Sequence, residues 1–229
     1  MSPTFCHNLE HQIQEIFMDS STSVLVIDHH SIIYCGFEKI FSENSHYDLK
    51  GQATNSEDGY EQFLRLEPDM VVIDLDIPGR GGLETIRRLK ARENSVKILV
   101  YTSHKDTSHI KQALAAGATS YILKSCYISD IFNAVKATSM GNRYLCETTA
   151  LKLAIEMIEG DASPLDKLSP REYEVFCYLM KGYKVSEIAN LLSISVKTVA
   201  TYQTQLKRKL SINGPYQMAK IAIQAGISF

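Results

Sequence analysis

Short apolar runs alternate with amphipathic stretches over the first part of the chain. Four continuous, largely apolar runs are predicted to be buried strands: Val24–Ile27, Met70–Ile73, Lys97–Tyr101 and Ser120–Leu123. A weaker strand is predicted within residues 47–54. The stretches between the strands place their apolar residues at helical spacing. This alternation predicts an α/β fold in which helices cover both faces of a parallel sheet.

The last part of the chain has a purely helical pattern. Ser169–Glu172 combines a capping box with proline at the first helical position, and Gly182 ends the helix that begins there. A second, short helix reaches Leu192, and the turn Ser193–Ser195 leads into a third helix. A fourth helix is predicted at about Tyr216–Ala225. The short helix, the tight turn and the third helix together predict a helix-turn-helix in an all-α domain.

The third helix has two unlike faces. Its apolar stripe consists of Val199, Tyr202, Leu206 and Leu210. Polar and basic side chains at i, i+4, i+7 and i+11 form the opposite face: Lys197, Thr201, Thr204 and Arg208. The basic run Lys207–Lys209 ends this helix. Such a run is also typical of a helix C-terminus in solvent, because the helix dipole favours cations there.

A linker separates the two patterns. Residues 141–165 are predicted to contain a short helix at about 147–158 and a flexible joint at 159–164, where Gly, Asp, Ser and Pro cluster. The predicted domains are therefore 23–140 and 166–229.

Residues 1–22 lie outside both patterns. Their apolar residues have helical spacing, which favours a small packing or dimerisation helix, and a frayed tail is the alternative. These residues are Leu9, Ile13, Ile16 and Phe17.

Composition and charge narrow the class of protein. The 229 residues are 45% hydrophobic and 22% charged, as in ordinary globular proteins. Neither a membrane span of about 20 apolar residues nor a signal peptide is predicted. Five cysteines without CxxC spacing favour reduced thiols and a cytoplasmic location.

The charge is distributed unevenly along the chain. Residues 164–229 carry nine Lys or Arg against four Asp or Glu, a net charge of +5, whereas the remainder carries fifteen against twenty-two, a net charge of −7. This asymmetry favours polyanion binding at one end.

Four chemically active side chains follow four predicted strands. They are Asp28, Asp74, Thr102 and Lys124. Because ligands bind at the carboxyl ends of parallel strands, we expect these side chains to meet at one rim of the sheet. Two carboxylates suit a hard divalent cation such as Mg²⁺, and a lysine and a hydroxyl can bind phosphoryl oxygens.

The residues of this rim also carry a resemblance. Pro68–Gly79, followed by Gly82–Glu84, resembles the phosphoacceptor motif of response-regulator receivers, with Asp74 as acceptor. Thr102 and Lys124 match the switch hydroxyl and the lysine of that family, and Tyr121 matches its switch aromatic.

The receiver resemblance covers residues 23–140. It implies a flavodoxin-like, doubly wound (βα)5 fold and a Mg²⁺ ion held by Asp28, Asp74 and the backbone of Asp76. It also implies that phosphoacceptance and autodephosphorylation are the only chemistry, so that a metabolic enzyme is not expected.

One residue departs from the receiver pattern. The family has two adjacent acids after the first strand, whereas this chain has Asp28 followed by His29, with Gly36 fixing the register. Imidazole is a poor ligand for Mg²⁺, so this replacement is expected to weaken Mg²⁺ binding.

The helical domain carries a second resemblance. Leu168–Glu172, Glu187–Ala189 and Ile194–Val199 resemble the LuxR/FixJ-type DNA-binding module, which places the chain in the NarL/FixJ class of response regulators. Tyr183–Val185 and the pair Thr201 and Tyr202 are most similar to the GacA/UvrY type.

This second resemblance implies two surfaces. The DNA-binding residues would be Lys197, Thr198, Ala200, Thr201, Tyr202, Thr204, Lys207, Arg208 and Lys209. The dimer surface would include Ala219, Ala222 and Ile223, each of which could equally pack within the monomer.

The two resemblances together predict a two-component transcription regulator. Its partners would be double-stranded DNA, a sensor histidine kinase, a second copy of the chain and RNA polymerase, with no membrane partner. Two alternatives remain open: a pseudo-receiver transcription factor that works without phosphorylation because of His29, or a receiver that acts as a phosphate sink or protein-binding adaptor.

Overall fold

The computed structural model describes residues 21–159 and 163–227. A five-stranded parallel sheet has the order β2-β1-β3-β4-β5. Its strands are β1 Thr22–Ile27, β2 Tyr47–Ala53, β3 Met70–Ile73, β4 Lys97–Thr102 and β5 Ser120–Leu123. The predicted fold is confirmed, including the weaker second strand. The prediction of an N-terminal helix lies on residues outside the described ranges.

Five helices connect and cover the strands. They are α1 Ser31–Ser42, α2 Ser56–Leu66, α3 Gly82–Arg92, α4 Thr107–Ala116 and α5 Ile128–Ser139. Alternate strand residues point to opposite faces, so Val24 and Val26 pack with Phe37 of α1, whereas Leu25 packs with Ile86 of α3. This doubly wound arrangement, residues 22–139, is called the α/β domain below.

The helical domain, residues 164–227, follows a connecting helix. Helix α6 spans Glu147–Glu159, and a short 3₁₀ helix spans Pro164–Lys167. Four helices complete the domain: α7 Pro170–Met180, α8 Val185–Leu191, α9 Val196–Lys209 and α10 Pro215–Gln224. Within the described residues, no helix combines the length and apolarity needed to span a membrane.

The start of each key helix follows from its sequence. Ser169 and Glu172 form the predicted capping box, in which the Ser169 side chain accepts from the Glu172 N–H and Glu172 accepts from the Ser169 N–H. The Ser195 hydroxyl accepts from the N–H of Thr198 at 3.0 Å and so caps α9. Between α8 and α9, Ser193 has φ +52°, the left-handed conformation that makes the turn tight.

The two domains pack against each other. The apolar core on the α2, α3 and α4 side of the sheet continues into the helical domain through Leu165, Leu168 and Tyr173. Gln112 of α4 donates to the carbonyl oxygens of Leu165 and Leu168, at 3.4 and 2.9 Å. The last residue of the predicted linker, Leu165, is therefore bound to the α/β domain, while residues 160–162 of the predicted joint lie outside the described ranges.

Candidate functional site

The four predicted rim residues lie at one edge of the sheet. Asp28 follows β1, Asp74 follows β3, Thr102 ends β4 and Lys124 follows β5. Three of them are almost inaccessible, with exposed fractions of 2% for Asp28, 3% for Asp74 and 0% for Thr102. The parallel sheet therefore brings together the side chains that the sequence had placed at separate strand ends.

Lys124 connects the two carboxylates. Its Nζ lies 2.7 Å from Asp28 Oδ2 and 2.8 Å from Asp74 Oδ2. Burial alone would lower the pKa of Lys124, but the interactions with Asp28 and Asp74 outweigh burial and raise that pKa. The ammonium group stays charged and offsets the repulsion between two buried carboxylates.

Asp74 has one oxygen in contact with the backbone. The N–H of Leu75 donates to Asp74 Oδ1 at 2.7 Å. Thr102 lies at the same rim, and its buried hydroxyl has no hydrogen-bond partner within the described residues. A buried hydroxyl without a partner carries a free-energy cost unless another group engages it.

Two histidines stand beside Asp28. His29 Nδ1 lies 4.0 Å from Asp28 Oδ1 and also 4.0 Å from Asp74 Oδ2. His30 is closer to Asp28. Its ring nitrogen Nδ1 is 3.0 Å from Asp28 Oδ1, and its backbone N–H donates to the same oxygen at 2.8 Å. The sequence had placed His29 here, whereas the contact made by His30 was missed because adjacent loop residues have no fixed periodicity.

The predicted switch aromatic is fully buried. The Tyr121 hydroxyl donates to the carbonyl oxygen of His104 at 2.7 Å. Burial raises the pKa of Tyr121 well above its usual range, so that the hydroxyl remains a donor. Tyr121 therefore fixes the segment that starts at Thr102, two residues before His104.

His104 also holds Asp76. Its Nε2 lies 3.0 Å from Asp76 Oδ2, and Lys181 Nζ of α7 lies 3.7 Å from Asp76 Oδ1. Burial alone would raise the pKa of Asp76, but the hydrogen bond from His104 and the charge of Lys181 hold that pKa well below its usual range. Asp76 is therefore a carboxylate that faces the helical domain.

A buried polar cluster joins the two domains. Asp106 Oδ2 lies 2.7 Å from His109 Nδ1, and the Tyr173 hydroxyl of α7 lies 2.8 Å from the same nitrogen. His109 stacks on His104, with ring centroids 3.8 Å apart and planes at 11°. Sequence reasoning missed this cluster. The spacing of His104, Asp106 and His109 is visible in the chain, but nothing in it indicates Tyr173.

A second interdomain contact involves Arg171. Its guanidinium donates to the carbonyl oxygens of Arg80 in the α/β domain and Leu192 in the helical domain. It also pairs with Glu174 at 2.8 Å. Burial raises the pKa of Glu174 to about 7, against the opposing influence of Arg171.

The predicted DNA-binding residues divide by exposure. Exposed side chains on α9 are Lys197, Ala200, Thr201, Thr204, Lys207 and Arg208. Thr198 and Tyr202 are half-buried, and Tyr202 packs against the core of its own domain. Lys209 Nζ is bound by Glu172 at 2.5 Å, which reduces its availability for a phosphate. The packing of the two domains leaves the exposed face of α9 open to solvent.

The predicted dimer residues on α10 also divide. Ile223 is 68% exposed, and Ala219 is half-buried. Ala222 is fully buried, so its assignment to the dimer surface is corrected: its methyl group packs within its own domain.

The magnesium ligands implied by the sequence fit the structure in part. Asp28 and Asp74 offer oxygen ligands on one side of the rim, as Mg²⁺ prefers. Imidazole nitrogens of His29 and His30 take up the remaining side, where an additional carboxylate would suit Mg²⁺ better.

Comparison with known proteins agrees with this architecture. Residues 24–136 match the response regulator receiver domain family, and residues 166–222 match the luxR family of bacterial regulatory proteins. Response regulator UvrY of Escherichia coli K12 is 30% identical over 207 residues, which cover 90% of this chain and 95% of that protein. Response regulator GacA of Pseudomonas aeruginosa is 31% identical, over 89% of this chain and 96% of that protein.

A solved structure supports the same fold. RcsB from Salmonella enterica serovar Typhimurium, bound to the promoter rprA with the phosphomimetic BeF₃⁻, has a TM-score of 0.69 and 22% identity. The match covers 88% of this chain and 98% of that one. The receiver-like rim, the helix-turn-helix and the full-length relatives lead to one conclusion. The chain belongs to the two-component response regulators with a LuxR-type DNA-binding domain, a family of transcription regulators.

Proposed function

We propose that Asp74 accepts a phosphoryl group from a sensor histidine kinase and that this modification controls DNA binding by α9. The observation that carries the proposal is the buried carboxylate of Asp74 held 2.8 Å from Lys124 Nζ. A lysine in this position stabilises the negative charge that a phosphoryl group brings.

The reaction needs few groups from the protein. A carboxylate oxygen of Asp74 forms a bond to phosphorus while the bond between phosphorus and the kinase imidazole breaks, and the electron pair returns to that imidazole. A divalent cation at Asp28, Asp74 and the Asp76 backbone would neutralise phosphoryl oxygens. In autodephosphorylation a water oxygen forms a bond to phosphorus while the bond between phosphorus and the Asp74 oxygen breaks, so that the electron pair returns to the carboxylate and inorganic phosphate leaves.

Thr102 and Tyr121 are proposed to transmit the change. The Thr102 hydroxyl is buried and unpartnered among the described residues, so a phosphoryl oxygen would give it a partner. Its movement would shift the segment that ends at His104, whose carbonyl accepts from Tyr121. Phosphorylation would thereby shift the equilibrium between two arrangements of the domains, which pack together beyond His104.

DNA binding is proposed to use the exposed face of α9. Lys197, Lys207 and Arg208 would neutralise phosphates, whereas Ala200, Thr201 and Thr204 would face base edges in the major groove. The hydroxyls of Thr201 and Thr204 donate to helix carbonyls at 3.0 Å. Their methyl groups would therefore be available to pack against a thymine methyl group. The RcsB complex named above contains a promoter, which supports DNA binding by a chain of this fold.

Dimerisation is proposed through α10, where Ile223 is an exposed apolar residue. A two-fold dimer would read two half-sites of a palindrome. Contact with RNA polymerase stays a prediction.

The pseudo-receiver is the second candidate, and the observation that favours it is the pair of histidines beside Asp28. The test is the intact mass of the chain after incubation with acetyl phosphate and Mg²⁺, for the wild type, Asp74→Ala and His29→Asp. Addition of one phosphoryl group to the wild type but not to Asp74→Ala supports phosphorylation. Addition only to His29→Asp supports the pseudo-receiver.

The adaptor alternative is tested separately, by titrating duplex DNA at several salt concentrations. An affinity that falls with salt indicates phosphate contacts. No measurable DNA binding would favour an adaptor that contacts proteins through its helical domain.

A further inference from the structure

The metal-binding rim has an unusual set of donors for a receiver-type site. Ligand atoms of Asp28, His29, His30 and Asp74 all lie within 4.8 Å of one another. The set therefore combines two buried carboxylates with two imidazoles. Mg²⁺ is a hard cation that prefers oxygen ligands, whereas imidazole nitrogen suits first-row transition metals.

The position of His29 fits a shared ion. Its Nδ1 is 4.0 Å from Asp28 Oδ1 and 4.0 Å from Asp74 Oδ2. These distances are too long for hydrogen bonds. Two ligands that each bind one ion at about 2.0 to 2.2 Å lie at most about 4.4 Å apart, so the observed spacing is within the span of one coordination sphere.

Asp28 divides its two oxygens between a cation and the histidines. Oδ2 contacts Lys124 Nζ at 2.7 Å, whereas Oδ1 faces both imidazoles. Lys124 Nζ also contacts Asp74 Oδ2 at 2.8 Å and lies 3.4 Å from His30 Nδ1. Asp28 Oδ1 is therefore the carboxylate oxygen that Lys124 leaves to a metal, whereas Asp74 Oδ2 would be shared by the ion and the ammonium group. His30 Nδ1, 3.0 Å from Asp28 Oδ1, is near enough to orient this oxygen or to serve as a further ligand.

We propose that this rim binds a divalent transition-metal cation in preference to Mg²⁺, with Asp28, His29 and Asp74 as ligands. Cations of this class accept both carboxylate oxygen and imidazole nitrogen, and their affinity for such sites rises from Mn²⁺ to Co²⁺. The inference rests on the proposed function, because the cation would serve phosphoryl transfer at Asp74.

The test uses Co²⁺ as the probe, since its visible absorption reports nitrogen ligation without any activity measurement. The full chain is titrated with Co²⁺ and then with Mg²⁺ as competitor. The wild type is expected to bind Co²⁺ at least about tenfold more tightly than Mg²⁺, a difference of about 1.4 kcal/mol.

Three variants locate the site. His29→Ala is expected to lose at least about tenfold in Co²⁺ affinity, and His29→Asp is expected to gain Mg²⁺ affinity while its preference for Co²⁺ falls. His46→Asp is the matched control, because His46 is exposed on the loop between α1 and β2 and has no place at the rim. His29→Ala also separates binding at the rim from binding at the buried cluster His104, Asp106 and His109, because His29 is not part of that cluster.

Two results would overturn the proposal: Mg²⁺ binding to the wild type as tight as Co²⁺ binding, or a Co²⁺ affinity that His29→Ala leaves unchanged. Both are independent of phosphorylation. If Co²⁺ binds through His29 but Asp74 never takes up a phosphoryl group with either metal, the metal preference stands and the proposed function fails.

Discussion

The hydroxyl of Tyr173 in the helical domain lies 2.8 Å from Nδ1 of His109 in the α/β domain. The same hydroxyl is 3.1 Å from Asp106 Oδ1. On its other side, His109 stacks on His104, which binds Asp76 near the rim. A continuous series of contacts thus connects the DNA-binding domain with the neighbourhood of Asp74.

Replacing Tyr173 with Phe is expected to loosen the packing of the two domains. The change removes one hydroxyl and leaves buried Asp106 with one partner fewer, at a cost of about 1 kcal/mol. Amide hydrogen exchange, followed by mass spectrometry, should rise in α4 and α7 of the full chain.

Tyr216→Phe is the control for this change. Tyr216 lies on α10 of the same domain, and its side chain is 81% exposed. Equal exchange in the two variants would show that the Tyr173 hydroxyl does not hold the domains together.

The domain packing is expected to weaken in acid because of His109. Burial lowers the pKa of His109, His104 adds to this, and Asp106 opposes it. Tyr173 and Cys177 of α7 face the same ring. As the pH falls, the imidazole takes up a proton at a higher pH when the domains are apart than when they are packed, because the separated form has the ordinary pKa of about 6.5. The packing is thus fully stabilised above this pH and loses stability as the pH falls through the lowered pKa.

Glu174 has the opposite effect. Packing of the domains raises the pKa of Glu174 to about 7, so the protonated side chain favours the packed form at low pH. This stabilisation is lost as the pH rises from the ordinary pKa of a glutamate to about 7. Exchange in α4 and α7 is measured between about pH 5.5 and 7.5. As the pH falls, exchange in these helices should increase more steeply in Glu174→Gln than in the wild type, and it should not increase in His109→Gln. An increase that persists in His109→Gln would show that another group causes the weakening in acid.

Replacing Lys124 with Gln is expected to destabilise the α/β domain at neutral pH. Without the ammonium, Asp28 and Asp74 are two buried carboxylates without a counter-charge, which costs about 3 kcal/mol. Urea unfolding measures the free energy. Adding Asp28→Asn to the variant should restore most of the stability, and an unchanged unfolding midpoint in Lys124→Gln would contradict the role given to this ion pair.

Arg208→Ala is expected to reduce the salt dependence of DNA binding. Loss of one phosphate contact lowers the slope of log affinity against log salt by about 1, whatever the DNA sequence. Lys152→Ala on α6, an exposed residue outside the helix-turn-helix, is the charge-matched control and should leave the slope unchanged. Equal slopes for both variants would remove Arg208 from the DNA-binding surface.

Local patterns were sufficient to predict the elements and much of the rim. Val24–Ile27 and Met70–Ile73 are strands because continuous apolar runs need burial on both faces. Ser169 and Ser195 cap helices because their side chains satisfy N–H groups within three residues. Residues at the ends of parallel strands converge through topology alone, which is why Asp28, Asp74, Thr102 and Lys124 could be assigned to one site.

Other features depend on contacts between distant parts of the chain. Ala222 and Ile223 are neighbours of similar character in the sequence, yet one is buried and the other exposed, because the rotation of α10 against α7 decides which side faces inward. Lys209 was expected to face DNA, but its ammonium meets Glu172, 37 positions away. The periodicity of a helix identifies its faces and leaves open which long side chains fold back onto a neighbour.

The sequence by itself determined the order of the elements, the α/β and helical domains, and the chemical character of the rim, because each depends on periodicity, caps and strand ends. Only the tertiary structure decided that His109 and Tyr173 meet, that Lys124 joins both carboxylates, and that His29 is equidistant from them. These relationships are set by how the helices pack onto the sheet and onto each other, and such long-range packing leaves no local pattern in the chain.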